Sequence, residues 1–122
     1  MNPFVTPAVV EKAWGAELHL HNADGYAFKI LRFNQGASLS LHHHARKAET
    51  WWVCSGQFLV SWIDPETAKQ SLRPFCQGNA IHLVPGIDHR LKCVQVGDIA
   101  EASTFDDPDD SYRVEPSSSG TK

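Results

Sequence analysis

The sequence has no surplus of positive charge, no long hydrophobic run and few cysteines. Its 122 residues include 11 Lys and Arg against 14 Asp and Glu, a formal net charge of −3 at pH 7. Proteins that bind nucleic acid electrostatically carry a basic surplus, so we expect no nucleic-acid partner. The N-terminal stretch Met-Asn-Pro-Phe-Val-Thr-Pro has neither a basic segment nor an apolar run, which indicates no signal peptide and no membrane span.

The three cysteines are an odd number without CxxC spacing, which argues against a disulfide framework. We therefore expect a reducing, cytoplasmic environment. With 42% hydrophobic and 20% charged residues, the composition is globular, and the length predicts a single domain over residues 1–122. Within it we expect an N-terminal arm over about residues 1–11 and a flexible tail over about residues 116–122.

Helical periodicity is also lacking, apart from one candidate helical turn at residues 7–12. Short runs of apolar, β-branched and aromatic residues alternate instead with Gly, Pro, Asn and Asp turn signals. The pattern predicts strands at residues 26–33, 37–44, 49–54, 57–63, 71–75, 80–84, 90–94 and 99–104. Many short strands at regular spacing are typical of a sandwich or small barrel, so the predicted fold class is all-β.

Histidine is the informative residue type, because three of the seven histidines are consecutive. Alternation along a strand places His42 and His44 on one face and His43 on the other. The two same-face Cβ atoms would be about 7 Å apart, a separation that two imidazoles can span to reach one metal ion. Glu49 follows across a short turn at the head of the next predicted strand. His89 could supply a fourth ligand from a separate strand.

Two motifs containing these residues resemble those of the cupin superfamily. Gly36, the histidine triplet, Glu49 and Gly56 are separated by five, four and six residues, as in the first cupin motif. Gly78 and the Val-Pro-Gly-Ile-Asp-His run that ends at His89 resemble the second motif. The resemblance implies a double-stranded antiparallel β-helix, the cupin jelly-roll barrel. The resemblance also implies that the metal ligands are His42, His44, Glu49 and His89.

A closer resemblance extends over about residues 12–115. Its matching segments are residues 12–17, 26–31, 38–41, 49–51, 89–91 and 112–115. In these the chain is similar to the isomerase domain of bacterial bifunctional mannose-1-phosphate guanylyltransferase/mannose-6-phosphate isomerases. That family usually carries Gln where His42 stands, so this site is richer in nitrogen ligands. The resemblance implies a metal-dependent isomerase that interconverts an aldose and a ketose, with a sugar phosphate as its small-molecule substrate.

The four ligand candidates determine what such a site can do. Three neutral imidazoles and one carboxylate leave a divalent ion with a net charge of about +1 and an open coordination position. We expect one divalent metal ion, and Zn, Mn, Fe, Ni and Co all suit these ligands. In an isomerase the ion acts as a Lewis acid, and the proton transfer between two carbons requires a base. The candidate bases are Lys29, His82 and Glu101.

A sugar phosphate also requires cationic groups, because guanidinium and ammonium groups match phosphate oxygens. The available residues are Arg32, Arg46, Lys47, Arg73 and Arg90. As substrate-binding residues we select Arg46 and Arg90, together with Trp51, which has the strand parity of Glu49. His43 is expected on the outer face.

Other functions fit the same four ligands, because a fold does not determine a function. One alternative is a metal-dependent dioxygenase or lyase, and another is a non-catalytic cupin that binds a sugar or other small molecule. A homodimer is expected, because cupins pair their barrels through an outer sheet and Leu39 and Leu41 have the parity of an exposed face. The acidic run at residues 106–110 lacks the Gly and terminal Glu of an EF-hand and is interpreted as a solvated loop.

Overall fold

The computed structural model describes residues 1–120, which form eleven β-strands and no helix. Accordingly, this range contains no helix that could span a membrane. The strands are β1 (Ala8–Lys12), β2 (Gly15–Ala23), β3 (Tyr26–Phe33), β4 (Leu41–His43), β5 (Glu49–Val53), β6 (Gln57–Ile63), β7 (Gln70–Cys76), β8 (Ala80–Leu83), β9 (Asp88–Gln95), β10 (Asp98–Ser103) and β11 (Tyr112–Glu115).

The strands form two antiparallel sheets. The six-stranded sheet has the order β1-β2-β3-β10-β5-β8, and the five-stranded sheet has the order β11-β4-β9-β6-β7. Neighbours distant in sequence, such as β3 with β10 and β4 with β9, require the chain to cross between the sheets, as a jelly roll does. The all-β jelly-roll prediction is confirmed.

The core lies between the two sheets. In β5 the side chains of Glu49, Trp51 and Val53 are buried while the residues between them are exposed, the alternation of a half-buried strand. Phe58 and Leu91 of the opposite sheet pack into the same cluster of buried side chains as Trp51 and Val53. The alternation that fills the core therefore also directs Glu49 and Trp51 into the barrel.

The predicted strand boundaries agree closely with the structure, with one exception. Strands β3 and β6 coincide with predictions 26–33 and 57–63, and most others differ by one or two residues at an end. The predicted strand 37–44 is too long, because regular pairing is limited to β4. Before β4 the chain still follows β9, where the Leu39 N–H donates to the Leu91 carbonyl oxygen at 2.9 Å.

Strand β1 begins within the expected N-terminal arm, whose residues 1–7 precede it, and the helical turn expected at residues 7–12 is wrong, because Ala8–Lys12 are extended. Strand β1 pairs with β2 from Ala8 opposite His19 to Lys12 opposite Gly15. Two consecutive valines in β1 favour an extended strand over a helix. At the start of β2 the neighbouring backbone lies so close that a Cβ on Gly15 would meet the Arg32 carbonyl oxygen.

The chain also pairs beyond the last predicted strand. Strand β11 has no counterpart among the predictions, although Arg113 lies directly opposite His42 of β4. Within the predicted flexible tail, Ser118 exchanges two backbone hydrogen bonds with Ser38, at 3.1 and 3.0 Å. Ser118 is therefore paired within the predicted tail, and residues 121 and 122 lie outside the described residues.

The residues expected to form a dimer face are not at the surface. Leu39 and Leu41 are each only 6% exposed, and Leu39 packs into the buried cluster between the sheets. Exposed apolar side chains occur instead on the outer face of the six-stranded sheet, where Val9 and Trp52 are 61% and 49% exposed. The homodimer itself stays a prediction.

The turn between β4 and β5 is held by one buried carboxylate, that of Asp110. It accepts the three consecutive backbone N–H groups of residues 45–47, at 2.8, 3.0 and 3.0 Å. The side chain of Asp110 is only 2% exposed, so the interpretation of residues 106–110 as a solvated loop is wrong here. Asp110 thus fixes the path of the chain between two candidate metal ligands, His44 and Glu49.

Replacing this carboxylate should destabilise the fold. In the Asp110→Ala variant three N–H groups lose a charged acceptor, and we expect the free energy of unfolding to fall by about 3 kcal/mol. Equilibrium denaturation in urea measures this change. Asp109→Ala, which removes an exposed neighbouring carboxylate, should change it by less than about 0.5 kcal/mol. Equal stability of the two variants would contradict this role of Asp110.

Candidate metal centre

Three histidine side chains converge inside the barrel, at the position the sequence predicts for a metal ion. His42 in β4 lies directly opposite His89 in β9, and His44 follows two residues after His42 on the same side of the chain. Each ring offers one nitrogen, and these three nitrogens lie within 4.8 Å of one another. Nitrogens at these separations can all reach one ion at a coordination distance of about 2.0–2.1 Å.

The second nitrogen of each ring is bound by the backbone. Each Nδ1–H donates to a main-chain carbonyl oxygen at 2.8 Å, and the pairs are His42 with Ser40, His44 with Asp110, and His89 with Ile87. A neutral imidazole has one N–H, so these hydrogen bonds leave the Nε2 lone pairs free. The backbone therefore selects the tautomer and ring orientation that a metal ligand needs.

Glu49 completes the cluster from the opposite sheet. Its Oε2 lies 3.1 Å from Nε2 of His44 and 3.7 Å from Nε2 of His89. Glu49 Oε2 and His89 Nε2 are buried and lack a hydrogen-bond partner among the described residues. Buried lone pairs that face one another are costly unless a cation lies between them. The side chains present therefore fit a divalent metal ion.

The protonation states of these groups also suit a metal. Burial, together with the nearby His89, lowers the pKa of His42 to about 3, and burial likewise lowers the pKa of His89. Burial of Glu49 favours its neutral form, but the contact with His44 and the charge of Lys47 outweigh this and hold its pKa at about 2. At neutral pH these residues therefore offer uncharged imidazoles and an ionised carboxylate, the forms that bind metals.

A second buried carboxylate, Glu101 in β10, lies beside the first. The Nε1–H of Trp51 donates to Glu49 Oε1 at 2.8 Å and to Glu101 Oε1 at 3.2 Å, so one indole joins the two carboxylates. Burial and the charge of Glu49 raise the pKa of Glu101 to about 7, although Lys47 and Lys29 oppose the shift. Glu101 can therefore gain or lose a proton near neutral pH, as a general acid–base group must.

Two lysines flank Glu101 and are themselves paired with acids. Lys47 Nζ lies 3.3 Å from Glu101 and 3.0 Å from Asp106, and Lys29 Nζ lies 2.5 Å from Asp106. Burial lowers the pKa of Lys29, but the surrounding carboxylates, Glu101 first among them, outweigh burial and raise it. Lys29 therefore keeps its proton at neutral pH and lacks the lone pair that the predicted base needs.

His82, another candidate base, lies outside the barrel. It is exposed on β8, and its ring pairs with the Thr50 hydroxyl at 2.8 Å on the outer face of the sheet. Its neighbours Ile81 and Leu83 are the residues of β8 that point inward. The structure corrects this assignment, because the alternation of β8 places His82 away from the four side chains of His42, His44, His89 and Glu49, called the metal cluster below.

Of the three predicted substrate-binding residues, one lies inside the barrel and two lie outside the cavity. Trp51 lies inside and lines the cavity in front of the histidines. Arg90 follows the inward His89 and therefore points outward, where it pairs with Glu115 at 3.6 Å. Arg46 is exposed and binds Asp107 at 2.9 Å. Neither arginine lines the cavity, so these two assignments are corrected.

The cavity has a volume of about 460 Å³ and is lined by residues from both sheets. Besides His42, His44 and Glu49 it is lined by residues that were not among the predicted site residues, among them Trp14, Glu17, Asp106 and Arg113. Asp106 belongs to the acidic run at residues 106–110, and the length of this run is a sequence signal that could have indicated a place for it in the site. His43 lies outside the cavity, where its Nδ1 pairs with Asp88 at 2.8 Å.

Solved structures confirm the cupin fold. An oxalate decarboxylase variant from Bacillus subtilis matches with a TM-score of 0.79 and 14% identity over 88% of this chain and 30% of that chain. The capsular polysaccharide assembling protein CapF from Staphylococcus aureus matches with a TM-score of 0.77 and 14% identity over 92% and 33%. The Bacillus subtilis decarboxylase is also described with Mn(II) centres. This chain spans about a third of each of these proteins, and at this identity the likeness concerns the fold alone.

Sequence comparison identifies the family. No curated protein is significantly similar to this chain. The family model described as mannose-6-phosphate isomerase C-terminal matches residues 5–104. Because this match covers most of the chain, the protein belongs to the mannose-6-phosphate isomerase C-terminal family of cupins.

Proposed function

We propose that the protein is a metal-dependent aldose–ketose isomerase that acts on a sugar phosphate of the mannose-6-phosphate kind. The observation that carries the proposal is the pair of buried carboxylates joined by Trp51. Glu49 belongs to the metal cluster, while Glu101 faces the same cavity and is held by lysine. An isomerase needs these two groups side by side, one to hold a Lewis acid and one to move a proton. The family assignment supports the same reaction.

The metal site would be formed by His42, His44, Glu49 and His89. A divalent ion held there supplies Lewis acidity for the carbonyl and hydroxyl oxygens of the sugar. Imidazole and carboxylate ligands accept Zn, Mn, Fe, Ni or Co, and the Mn(II) centres of the structurally similar oxalate decarboxylase make manganese one candidate. The protein contributes a rigid ligand set, because backbone carbonyls hold all three imidazole rings.

Glu101 would move the proton. Isomerisation of an aldose to a ketose moves one proton from C2 to C1 and a second from the C2 hydroxyl oxygen to the C1 oxygen, and a single carboxylate on one face of the substrate can carry the first. Lys47 donates to Glu101 Oε2 at 3.3 Å and Trp51 donates to its Oε1. These two donors fix the orientation of the carboxylate.

The metal assignment predicts about one divalent ion per chain after chelation and reconstitution. The His44→Ala variant should lose the ion, because the remaining ligands lack the nitrogen closest to Glu49. His43→Ala is the matched control, since this neighbouring imidazole lies outside the cavity and pairs with Asp88. Elemental analysis of both variants, with thermal unfolding to confirm that each is folded, measures the effect. Full metal content in His44→Ala would overturn the assignment.

The Glu101 assignment predicts that Glu101→Gln lowers kcat by about 10²–10⁴-fold with the metal content unchanged. The measurement is deuterium incorporation from solvent at C2 of the sugar phosphate, under anaerobic conditions. Glu115→Gln is the control, because this carboxylate is exposed and pairs with Arg90 outside the cavity. Wild-type exchange in Glu101→Gln would refute the role of Glu101. A reaction that consumes oxygen, or ligand binding without any product, would refute the isomerase.

The titration of Glu101 predicts a pH dependence. The pKa of Glu101 is raised to about 7, so the basic form is lost as the pH falls through this value. A divalent ion beside Glu49 cancels part of the charge that contributes to this shift, so we expect kcat to rise with pH with a midpoint at or below pH 7. A pH–rate profile measures it. A rate that falls over the same range would contradict Glu101 as the base.

A further inference from the structure

Four basic residues line the cavity, and they differ in whether an acid neutralises them. Lys29 and Lys47 lie deep, each bound to Asp106, and Lys47 is also bound to Glu101. Lys12 and Arg113 are exposed at the rim. Among residues 1–120, no carboxylate lies within 4.0 Å of either rim cation. The positive charge that a ligand meets first is therefore at the cavity mouth.

Arg113 is placed at the mouth by strand register. Strand β11 pairs with β4, and Arg113 lies directly opposite His42. Directly paired residues of an antiparallel ladder project to the same face, with Cβ atoms about 4.5–5.5 Å apart. The guanidinium therefore extends into the cavity beside the histidine cluster. The distance is short enough for one small molecule to contact both.

The other arginines near this end of the barrel are already paired. Arg46 binds Asp107, and Arg90 binds Glu115 together with the carbonyl oxygens of Leu39 and Pro116. The pairing with Arg46 also engages Asp107, one of the acids that line the cavity. Arg113 is thus the arginine of the cavity whose fork of N–H donors is available to a ligand.

We propose that Arg113, assisted by Lys12, forms an anion subsite at the mouth of the cavity that binds the phosphate of the substrate. That the rest of the ligand is a sugar rests on the proposed isomerase. The anion subsite itself does not depend on that proposal. A guanidinium binds phosphate through two parallel hydrogen bonds, and an ammonium group adds a point charge. A molecule with a dianion at one end and a carbonyl at the other would span the mouth and the histidine cluster.

The subsite is tested with inorganic phosphate as the probe, titrated calorimetrically into the metal-loaded full chain. Arg113→Met should weaken phosphate binding at least about tenfold. Arg113→Lys keeps the positive charge but lacks the paired N–H donors of a guanidinium, so its phosphate affinity should lie between those of Arg113→Met and the wild type. Arg32→Met is the matched control, because this arginine is exposed at the edge of the outer face and pairs with Asp98. It should bind phosphate as the wild type does. Metal content and thermal unfolding confirm that each variant is folded and loaded.

The outcomes separate the subsite from the isomerase. Equal phosphate affinity in Arg113→Met and Arg32→Met would overturn the subsite, since phosphate would then be held elsewhere. Weaker phosphate binding in Arg113→Met, with no solvent exchange by the wild type on any sugar phosphate, would leave the subsite standing and reject the isomerase. If both proposals hold, Arg113→Met raises KM for the sugar phosphate about tenfold and leaves KM for the unphosphorylated sugar unchanged.

Discussion

The candidate site depends on one physical conflict, the meeting of ring nitrogens and a carboxylate oxygen in the interior of the barrel, where Glu49 Oε2 and His89 Nε2 lack a hydrogen-bond partner among the described residues. The three ring nitrogens of His42, His44 and His89 lie within 4.8 Å of one another, and Glu49 Oε2 lies 3.1 Å from Nε2 of His44 and 3.7 Å from Nε2 of His89. An apolar core would avoid such an arrangement, because buried acceptors without donors are destabilising. A bound cation turns the same arrangement into a favourable one. The barrel, the turn held by Asp110 and the carbonyls behind each ring all maintain this geometry.

The two carboxylates illustrate how environment separates the roles of identical groups. Glu49 and Glu101 share the indole donor of Trp51, yet their pKa values are about 2 and about 7. Burial disfavours the charge on both. Glu49 is compensated by His44 and Lys47, whereas the negative charge of Glu49 acts against ionisation of Glu101. One carboxylate is thereby suited to hold a metal ion and the other to exchange a proton.

Much of the metal cluster could be predicted from the sequence, because strand alternation and motif spacing are local properties. Parity places His42 and His44 together, and the motif spacing adds Glu49 and His89. The position of His82 could not be predicted, because the face that a short strand presents depends on its register with neighbours. Arg113 and β11 were missed for a related reason. Their position depends on pairing with β4, about 70 residues earlier in the chain, and the resemblance of residues 112–115 to the isomerase domain does not reveal this partner.

The site is suited to one cation bound by three imidazole nitrogens and one carboxylate. X-ray absorption at the edge of the metal bound to the full chain tests it most directly, because the spectrum reports the number and type of coordinating atoms. The account predicts three imidazole nitrogens and at least one oxygen at about 2.0–2.2 Å. A spectrum with oxygen ligands alone, or with a single imidazole, would contradict it.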